Sequence, residues 1–308
     1  MESTACNFCG SEDAAVIFNL PDLLLDLPEV RTTLVRCRNC GLVYQNPRPA
    51  IEEMSRHYPP EYVSYAPNPV VRRTPWLLRR AYDYGVRKRV RTVTRVADRG
   101  ALLDVGCATG TFLLGMRRYT GLALTGVEIS PHAAAIALAE GLDVRVGTLE
   151  EAGFPDAAFD VVTLWDVFEH LHDPAGALAE IARILKPGGG VVIRVPNLDS
   201  WDAGLFGRYW AGLDAPRHTY VFDLQNLRNM LGAAGFTDLE MRCNIGSYPT
   251  FALSVRFWLT GRGVAPEWRR RIMRLLENPF ARLASAPLFY FLSLGLRGPL
   301  VTVTARVR

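Results

Sequence analysis

The stretch "LLDVGCATG" (residues 102–110) predicts a β-strand that runs into a glycine-bounded turn and then a helix. Gly106 and Gly110 would let a ligand approach the main chain closely, and the helix that follows offers free N–H groups. The spacing differs from the dinucleotide pattern G-x-G-x-x-G, which would need glycine at Thr111. Asp104 would repel a pyrophosphate but suits the cationic end of a ligand.

A second acidic residue, Glu128, ends the next predicted strand, "LALTGVE", 18 residues after Gly110. In parallel α/β sheets a carboxylate at the end of the second strand can accept hydrogen bonds from both hydroxyls of a ribose. The two stretches together therefore predict a nucleoside-containing ligand at the carboxyl edge of a sheet.

Strands and helices alternate from residue 101 onward, which predicts an α/β fold with a mostly parallel, doubly wound, Rossmann-like sheet of seven strands. The segment "PAGALAEIARILKPGG" is predicted to form one helix that ends at the glycines. Residues 246–298 are basic and aromatic and are predicted to form a helical insertion. The predicted strands are "ALLDVG", "LALTGVE", "LDVRVGT", "AFDVVTLW", "GVVIRVPN", "TDLEMRCNI" and "LVTVTARV".

Two C-x-x-C pairs, Cys6/Cys9 and Cys37/Cys40, lie near the N-terminus, and a glycine follows each pair. A C-x-x-C turn places two thiolates on one side of a Zn²⁺ ion, and two such turns complete a tetrahedral site. We therefore predict a structural zinc ribbon over residues 1–48. The alternatives are two disulfides or a chance arrangement.

A connector is predicted over residues 49–98. Its first part is rich in proline and tyrosine, and Thr74-Pro75 has the pattern of a helix start. The amphipathic helix that follows carries a row of arginines, which would form either a solvated face or a lid that presents arginine to phosphate. The remaining residues, 99–308, form the predicted α/β domain.

The composition is that of a globular protein, with 308 residues, 49% hydrophobic and 21% charged, and a net charge of +4. This mild basicity permits an anionic substrate but does not demand nucleic acid. No basic N-terminal region precedes an apolar run, and the longest apolar stretch, "APLFYFLSLGL" (286–296), is shorter than the roughly 20 residues of a membrane-spanning helix. We therefore expect a cytoplasmic protein, where disulfides are rare.

The segments "DVGCATG", "GVEIS", "FDVVTLWDVFEHLHDP", "ILKPGGGVVIRVPN" and "PRHTYVF" together resemble the class I S-adenosylmethionine-dependent methyltransferases over about residues 101–245, with the last strand at 299–307. The resemblance implies S-adenosylmethionine as cofactor. It places the methionine end at Asp104, Gly106 and Gly110, the ribose at Glu128, and the adenine between Ile129 on one side and Thr148 and Leu149 on the other. The cofactor set implied in full is Asp104, Gly106, Cys107, Gly110, Glu128, Ile129, Thr148, Leu149 and Trp165.

The segments "CRNCGLVYQNPRP" and "HYPPEYVSY" resemble the ribbon-bearing branch of these enzymes, whose core is similar to that of the ubiquinone-type O-methyltransferases. This resemblance implies O-methylation of a small molecule that is saccharide-linked, lipid-linked or a secondary metabolite. Sugar C-methyltransferases have a similar zinc module but usually carry a further C-terminal domain. A zinc-ribbon rRNA methyltransferase and a non-catalytic, cofactor-binding partner subunit are two further possibilities.

The stretch "WDVFEHLHDP" (165–174) places Asp166, Glu169 and His170 at i, i+3 and i+4, on one face if a helical turn begins there. His218 follows the fifth strand in a loop that is expected to face the same pocket. Three interpretations follow, in this order. The residues are scaffold, or His170 or His218 is a general base, or Asp166, Glu169, His170 and His218 bind Mg²⁺ or Mn²⁺. The last arrangement is similar to that of small-RNA 2′-O-methyltransferases.

The insertion 246–298 also has two interpretations. It could lie on an anionic membrane surface and reach a lipid-linked acceptor. The favoured interpretation is a substrate lid and dimer surface. The partner expected from the sequence is thus a small-molecule acceptor. Nucleic acid is disfavoured, and peripheral membrane contact and oligomer formation are both left open.

Overall fold

A computed structural model describes residues 1–58, 76–243 and 247–308 of the chain. The strands are β1 (Ala14–Asp22), β2 (Leu27–Cys37), β3 (Val43–Gln45), β4 (Ala101–Val105), β5 (Ala123–Glu128), β6 (Asp143–Val146), β7 (Phe159–Trp165), β8 (Leu185–Pro196), β9 (Tyr220–Val221), β10 (Phe236–Cys243) and β11 (Leu300–Val307). The helices are α1 (Trp76–Thr94), α2 (Thr111–Tyr119), α3 (Pro131–Ala139), α4 (Pro174–Ile184), α5 (Trp201–Phe206), α6 (Leu224–Ala233), α7 (Ser247–Gly261), α8 (Pro266–Glu277) and α9 (Pro279–Leu292).

The larger sheet has seven strands in the order β10-β11-β8-β7-β4-β5-β6, which confirms the predicted α/β fold. Strands β4 to β8 run parallel, and β11 is antiparallel to both of its neighbours. Successive residues of β4 face opposite sides, because side chains alternate along a strand. Leu103 packs against α4, α6 and the N-terminal segment, whereas Leu102 packs against α1, α2 and α3.

Strand order reverses at β4, which lies between β5 and β7 although it precedes both in the chain. A crevice opens beyond the carboxyl ends of the strands at such a switch point, and ligands of doubly wound sheets bind there. The loop 106–110 follows β4 directly, so the fold places the glycine-bounded turn at this crevice.

A second sheet of four strands, in the order β1-β2-β3-β9, contains the N-terminal segment. Its fourth strand, β9, comes from the loop after β8, and Tyr44 and Val43 of β3 pair with Tyr220 and Val221. The sequence predicted no strand at 220–221. Three strands from residues 1–48 thus share a sheet with a strand from the α/β region.

Two local predictions differ from the structure or lie outside it. Helix α4 ends at Ile184 rather than at the glycines, because Lys186 precedes Pro187 and a residue before proline disfavours helical backbone angles. The chain enters β8 at Leu185 instead. The connector contains a short 3-10 helix (Ile51–His57), while the predicted helix start at Thr74-Pro75 lies outside the described residues.

The predicted insertion is helical and consists of α7, α8 and α9, between β10 and β11; residue 246 lies outside the described residues. Its helices follow one another and pack α7 on α8 and α8 on α9. Among the described residues, no helix has both the length and the apolar character needed to cross a membrane.

Candidate active site

The loop after β4 is shaped by left-handed backbone at three positions. Gly106, Ala108 and Gly110 have φ of 68°, 48° and 76°. A Cβ at Gly106 would lie 2.6 Å from Cγ2 of Val167, and one at Gly110 would lie 2.2 Å from Cδ1 of Leu142. Both positions therefore require glycine. Gly110 is the N-cap residue of α2, and it has no side chain that could accept a hydrogen bond from the first N–H groups of the helix. These N–H groups therefore remain available to a ligand.

Glu128 connects this loop to the end of β5. Its carboxylate accepts hydrogen bonds from the amides of Ala108 (2.9 Å) and Ser130 (2.8 Å). The side chain is buried, and burial raises its pKa above the ordinary value. The carboxylate is thus fixed at the switch point, in the position from which it could meet ribose hydroxyls.

Asp104 lies within β4 beneath the loop. It is buried, and the hydroxyl of Thr163 donates a hydrogen bond of 2.6 Å to its Oδ1. Burial raises the pKa of Asp104 to about 7, although the Thr163 bond and the charge of Arg89 act in the opposite direction. A cation placed against this carboxyl would stabilise its charged form.

The other residues of the implied cofactor set differ in exposure. Ile129 follows the last residue of β5 and is 58% exposed, so its side chain is free to contact a flat ring. Cys107 and Leu149 are buried, so their main chain rather than their side chains would face a ligand. Thr148 exchanges hydrogen bonds with Glu151.

Trp165 ends β7 beside this crevice. Its ring lies 5.3 Å from that of Phe112, and the guanidinium groups of Arg89 and Arg194 approach it to 5.4 and 5.3 Å. Its indole N–H is buried and has no hydrogen-bond partner among the described residues. The glycine-shaped loop, the exposed Ile129 and this unpaired donor are compatible with S-adenosylmethionine.

The stretch 165–174 does not form the helical turn that the sequence predicted from Asp166. A 3-10 helix begins only at Phe168 and ends at His170. Asp166 lies before it with φ of 58°, and its carboxylate turns to Arg194, whose Nε donates to Oδ1 at 2.8 Å. The interpretation that Asp166, Glu169 and His170 share one helical face is therefore wrong for Asp166.

Glu169, His170 and His218 do converge, with one ligand-type atom of each within 4.8 Å of the others. Nδ1 of His170 lies 2.9 Å from the carbonyl oxygen of Arg217, and Nδ1 of His218 lies 2.9 Å from that of Gly212. A carbonyl can only accept, so Nδ1 of His218 carries the proton and its Nε2 keeps a lone pair. The two rings are 4.7 Å apart at 73°.

The Glu169 side chain is 1% exposed, and neither of its carboxyl oxygens has a hydrogen-bond partner among the described residues. Its Oε1 lies 4.0 Å from Nε2 of His218. We define Glu169, His170 and His218 as the acceptor cluster. The scaffold interpretation fits His170, which binds a main-chain carbonyl, but it does not fit Glu169.

Burial favours the neutral form of each member of the acceptor cluster. It raises the pKa of Glu169 well above the ordinary value and lowers the pKa of His218. Burial, together with the neighbouring His218, lowers the pKa of His170 to about 4. Both imidazoles are therefore neutral at neutral pH, and each keeps one ring nitrogen that can accept a proton or bind a metal ion.

The loop that carries His218 is fixed by a buried ion network that the sequence did not predict. Arg217 is fully buried and donates two hydrogen bonds, of 2.7 and 2.8 Å, to Asp22 at the end of β1. It also pairs with Asp214, whose Oδ2 lies 3.9 Å from Nε2 of His218. Arg217 stands beside His218 in the sequence, but nothing local indicates its partner 195 positions away.

Gln45 of β3 holds the same loop. Its side-chain amide donates to the carbonyl oxygens of Pro216 (2.8 Å) and His218 (2.6 Å). Tyr58 also reaches the cluster, with its hydroxyl 2.9 Å from Nδ1 of His170. His172, the other histidine of this stretch, points instead to the carbonyl oxygen of Pro49.

The four N-terminal cysteines meet at one point. Sγ of Cys6 lies 3.5 Å from that of Cys40, and Sγ of Cys9 lies 3.5 Å from that of Cys37. A tetrahedron with Zn–S bonds of about 2.3 Å has edges of about 3.8 Å, so the spacing fits Zn²⁺.

The two cysteine turns have the same backbone shape. The glycine after each pair, Gly10 and Gly41, has positive φ and donates its amide to the carbonyl of the first cysteine, Cys6 or Cys37. The residues present are compatible with a zinc ribbon.

Comparison with known proteins identifies the family. A methyltransferase domain family matches residues 78–241. A ubiquinone biosynthesis O-methyltransferase of Sodalis glossinidius is 31% identical over 170 residues, which cover 52% of this chain and 68% of that protein. The chain therefore belongs to the class I S-adenosylmethionine-dependent methyltransferases.

Other relatives match more locally. The enzyme of the same name from Alkalilimnicola ehrlichii is 38% identical over 103 residues, 31% of this chain and 41% of that protein. The chain thus spans about two fifths of the length of this relative. Among solved structures, the cyclase SpnF matches with a TM-score of 0.51 at 23% identity. The match covers 84% of this chain and 97% of the SpnF chain. This likeness concerns the fold alone.

Proposed function

We propose that the protein transfers the methyl group of S-adenosylmethionine to a hydroxyl of a small molecule that is saccharide-linked, lipid-linked or a secondary metabolite. The observation that carries the proposal is the acceptor cluster, in which two neutral imidazoles and an unpaired, buried carboxyl converge. Such a set is suited to remove the proton of a hydroxyl. The relatives named as ubiquinone biosynthesis O-methyltransferases support oxygen as the acceptor atom.

The crevice after β4 would hold the cofactor. Asp104 would bind its ammonium group, Glu128 the ribose hydroxyls, and Ile129 one face of the adenine. When bound, S-adenosylmethionine supplies a methyl group on a sulfonium sulfur, which leaves as a neutral thioether. The task of the protein is then to align an acceptor oxygen with that methyl and to exclude water.

His218 is the better placed of the two imidazoles to act as base. The acceptor hydroxyl would donate its proton to Nε2 of His218, while Nδ1 stays bound to the carbonyl oxygen of Gly212. The imidazolium so formed would lie 3.9 Å from Asp214, whose charge would stabilise it. None of the ion pairs within 4.0 Å between described residues involves His170, which would orient the acceptor.

A second function of the same cluster is favoured by the orphaned carboxyl of Glu169. Two imidazoles and one carboxylate form a ligand set for a divalent cation such as Mn²⁺ or Mg²⁺, which would lower the pKa of a bound hydroxyl. Asp166, which the sequence added to this set, is paired with Arg194 and would not take part.

The experiment uses the full chain, tritium-labelled S-adenosylmethionine and fractionated extract, followed by assay with the labelled acceptor. We expect His218→Ala to lose about 10²–10⁴ in turnover while the cofactor affinity stays within a few-fold. His132→Ala, on the exposed start of α3, is the matched control and should retain activity. Wild-type turnover in a correctly folded His218→Ala variant would contradict the base.

Treatment with EDTA and calorimetric titration with Mn²⁺ separate the two functions of the cluster. A base alone predicts no loss of activity on the timescale of the assay and no Mn²⁺ binding that depends on Glu169. A metal site predicts activity that Mn²⁺ restores and Mn²⁺ binding that Glu169→Gln removes.

The same labelling experiment separates O-methylation from the other functions compatible with the fold. Label in a methoxy group supports O-methylation, whereas a methyl on carbon would indicate a sugar C-methyltransferase. Label in RNA would indicate an rRNA methyltransferase. Absence of label with intact cofactor binding would favour a non-catalytic partner subunit.

A further inference from the structure

The outer face of α8 and α9 exposes large apolar side chains. Phe280, Leu283 and Phe291 of α9 are 80%, 74% and 67% exposed, and they recur at helical spacing with Leu294 just beyond the helix. On α8, Trp268 and Leu275 are also exposed and lie two turns apart. We call this surface the apolar face; its members are Trp268, Leu275, Phe280, Leu283, Leu288, Tyr290, Phe291 and Leu294.

The apolar face is not the core-facing side of α9. That opposite side is occupied by Phe289, which is buried and whose ring lies 5.2 Å from Phe251, 5.1 Å from Tyr248 and 5.8 Å from Trp201. Helix α9 is therefore apolar on both sides, and Arg282 is its only charged residue. A helix that is apolar all round is normally in contact with apolar surroundings on both sides.

Helix α8 also carries exposed arginines on the side that adjoins the apolar face. Arg270, Arg271 and Arg274 of α8 are exposed, and none of the ion pairs between described residues involves them. Arg271 shares the face of Trp268 and Leu275, and its guanidinium lies 4.9 Å from the centre of the Trp268 ring. A face of aromatic residues and leucines with arginines on the adjoining polar face is typical of helices that lie at a membrane interface.

We propose that α8 and α9 dock on the surface of an anionic lipid bilayer. The apolar face would enter the boundary between headgroups and acyl chains, and the arginines would bind anionic headgroups. Helix α9 has 14 residues, which gives a length of about 21 Å, so it would lie along the surface rather than cross it. The proposal does not depend on which atom is methylated.

Charge favours a bilayer over a second copy of this chain. Helix α8 carries four arginines and two glutamates, so two copies that meet through α8 would bring together surfaces of the same net charge, which is unfavourable at an interface. An anionic bilayer pairs these charges with phosphate instead.

The insertion is also joined to the loop of the acceptor cluster. The hydroxyl of Ser254 on α7 accepts a hydrogen bond from the amide of Ala211 at 2.9 Å, and Arg256 donates to the carbonyl of Leu24 in the turn between β1 and β2. A docked insertion would thus hold the region of residues 211–218 near the bilayer, where a lipid-linked molecule would be concentrated.

The test is co-sedimentation of the full chain with vesicles of phosphatidylcholine alone and of phosphatidylcholine mixed with phosphatidylglycerol. We expect binding to the anionic vesicles that weakens as salt rises. The triple variants Phe280→Ser/Leu283→Ser/Phe291→Ser and Arg270→Gln/Arg271→Gln/Arg274→Gln should each bind at least about tenfold more weakly.

Each test variant has a control: one control removes the same number of arginines, and the other replaces an exposed apolar residue by serine. Arg31→Gln/Arg38→Gln/Arg99→Gln removes the same charge from exposed positions outside α8, and Val16→Ser removes an exposed apolar side chain from β1. Both should bind within about twofold of wild type. Light scattering of the free protein gives the oligomeric state.

Three outcomes would overturn the proposal. They are no binding to anionic vesicles, binding that the controls weaken as much as the test variants do, and a concentration-dependent dimer that the Phe280/Leu283/Phe291 variant abolishes. The last result would assign the apolar face to a second copy. Vesicle binding needs no methyl acceptor, so its failure and the failure of the proposed methylation are distinguishable.

Discussion

The side-chain amide of Gln45 lies 2.6 Å from the carbonyl oxygen of His218, and this hydrogen bond joins the N-terminal sheet to the loop of the acceptor cluster. Two residues later in the loop, β9 pairs with β3. The N-terminal segment is therefore a structural part of the wall in which His218 is held.

Replacing Gln45 by leucine tests this relationship. The variant leaves the buried carbonyls of Pro216 and His218 without their donor, which costs about 1–3 kcal/mol for each unsatisfied group. We expect a lower melting temperature and a reduced kcat, with cofactor affinity within a few-fold of wild type. Gln225→Leu, on the exposed surface of α6, is the control and should change neither quantity. An unchanged kcat in Gln45→Leu would show that the loop holds His218 without this bond.

If the four clustered cysteines form the predicted zinc ribbon, freshly purified protein should contain one zinc ion per chain. Cys37→Ser should release the ion and loosen residues 1–48, because structural zinc supplies about 10–16 kcal/mol of apparent binding energy at such sites. Elemental analysis and near-ultraviolet circular dichroism measure the two effects. Cys243→Ser, which lies outside the cysteine cluster, should keep its zinc. A disulfide between the pairs, or protein without zinc, would contradict the ribbon.

Glu128→Ala should weaken cofactor binding by about 1.5–3 kcal/mol, roughly 10- to 150-fold, because a charge-assisted hydrogen bond to the ribose is lost. Calorimetry with S-adenosylmethionine measures the affinity, and a melting curve shows whether the loop bonds to Ala108 and Ser130 affect the fold. Glu140→Ala, an exposed glutamate after α3, is the control. If Glu128→Ala binds as tightly as wild type, the ribose lies elsewhere.

Cofactor affinity should depend on pH through Asp104. Burial raises the pKa of this carboxyl to about 7 in the free protein, so below pH 7 it is mostly protonated. An ammonium group bound against it favours the ionised form, so binding must release this proton. The dissociation constant should therefore rise up to about tenfold for each pH unit below 7 and level off above it.

Asp104→Asn is the matching variant for the pH experiment. It should bind more weakly at pH 8 and should lose most of the pH dependence between pH 6 and 8. Calorimetry over this range measures both. A wild-type profile that stays flat through pH 7 would contradict the role of Asp104.

The α/β sheet was predictable because its information is local. The strands are short apolar runs rich in β-branched residues, and helix starts such as Ser130-Pro131 carry their own caps, with Ser130 accepting the amide of Ala133. Each element could therefore be assigned without knowledge of its neighbours.

The acceptor cluster was predictable only in part, because its geometry depends on distant partners. The backbone of Asp166 and its pairing with Arg194 separate it from Glu169, which the i, i+3 spacing could not indicate. The pairing of β3 with the two-residue strand β9, and of Arg217 with Asp22, joins positions far apart in the chain. A pattern read along the chain does not contain such contacts.

The position of the helical insertion also bears on how proteins of this kind can diverge. It leaves the sheet at Cys243 and returns at Leu300, and Cys243 pairs with Val301 as though a short hairpin joined β10 to β11. The register of these strands does not depend on what lies between them. Exchange of this one segment between descendants of a common ancestor can therefore change what the molecule touches, while the inherited sheet and its crevice keep their form.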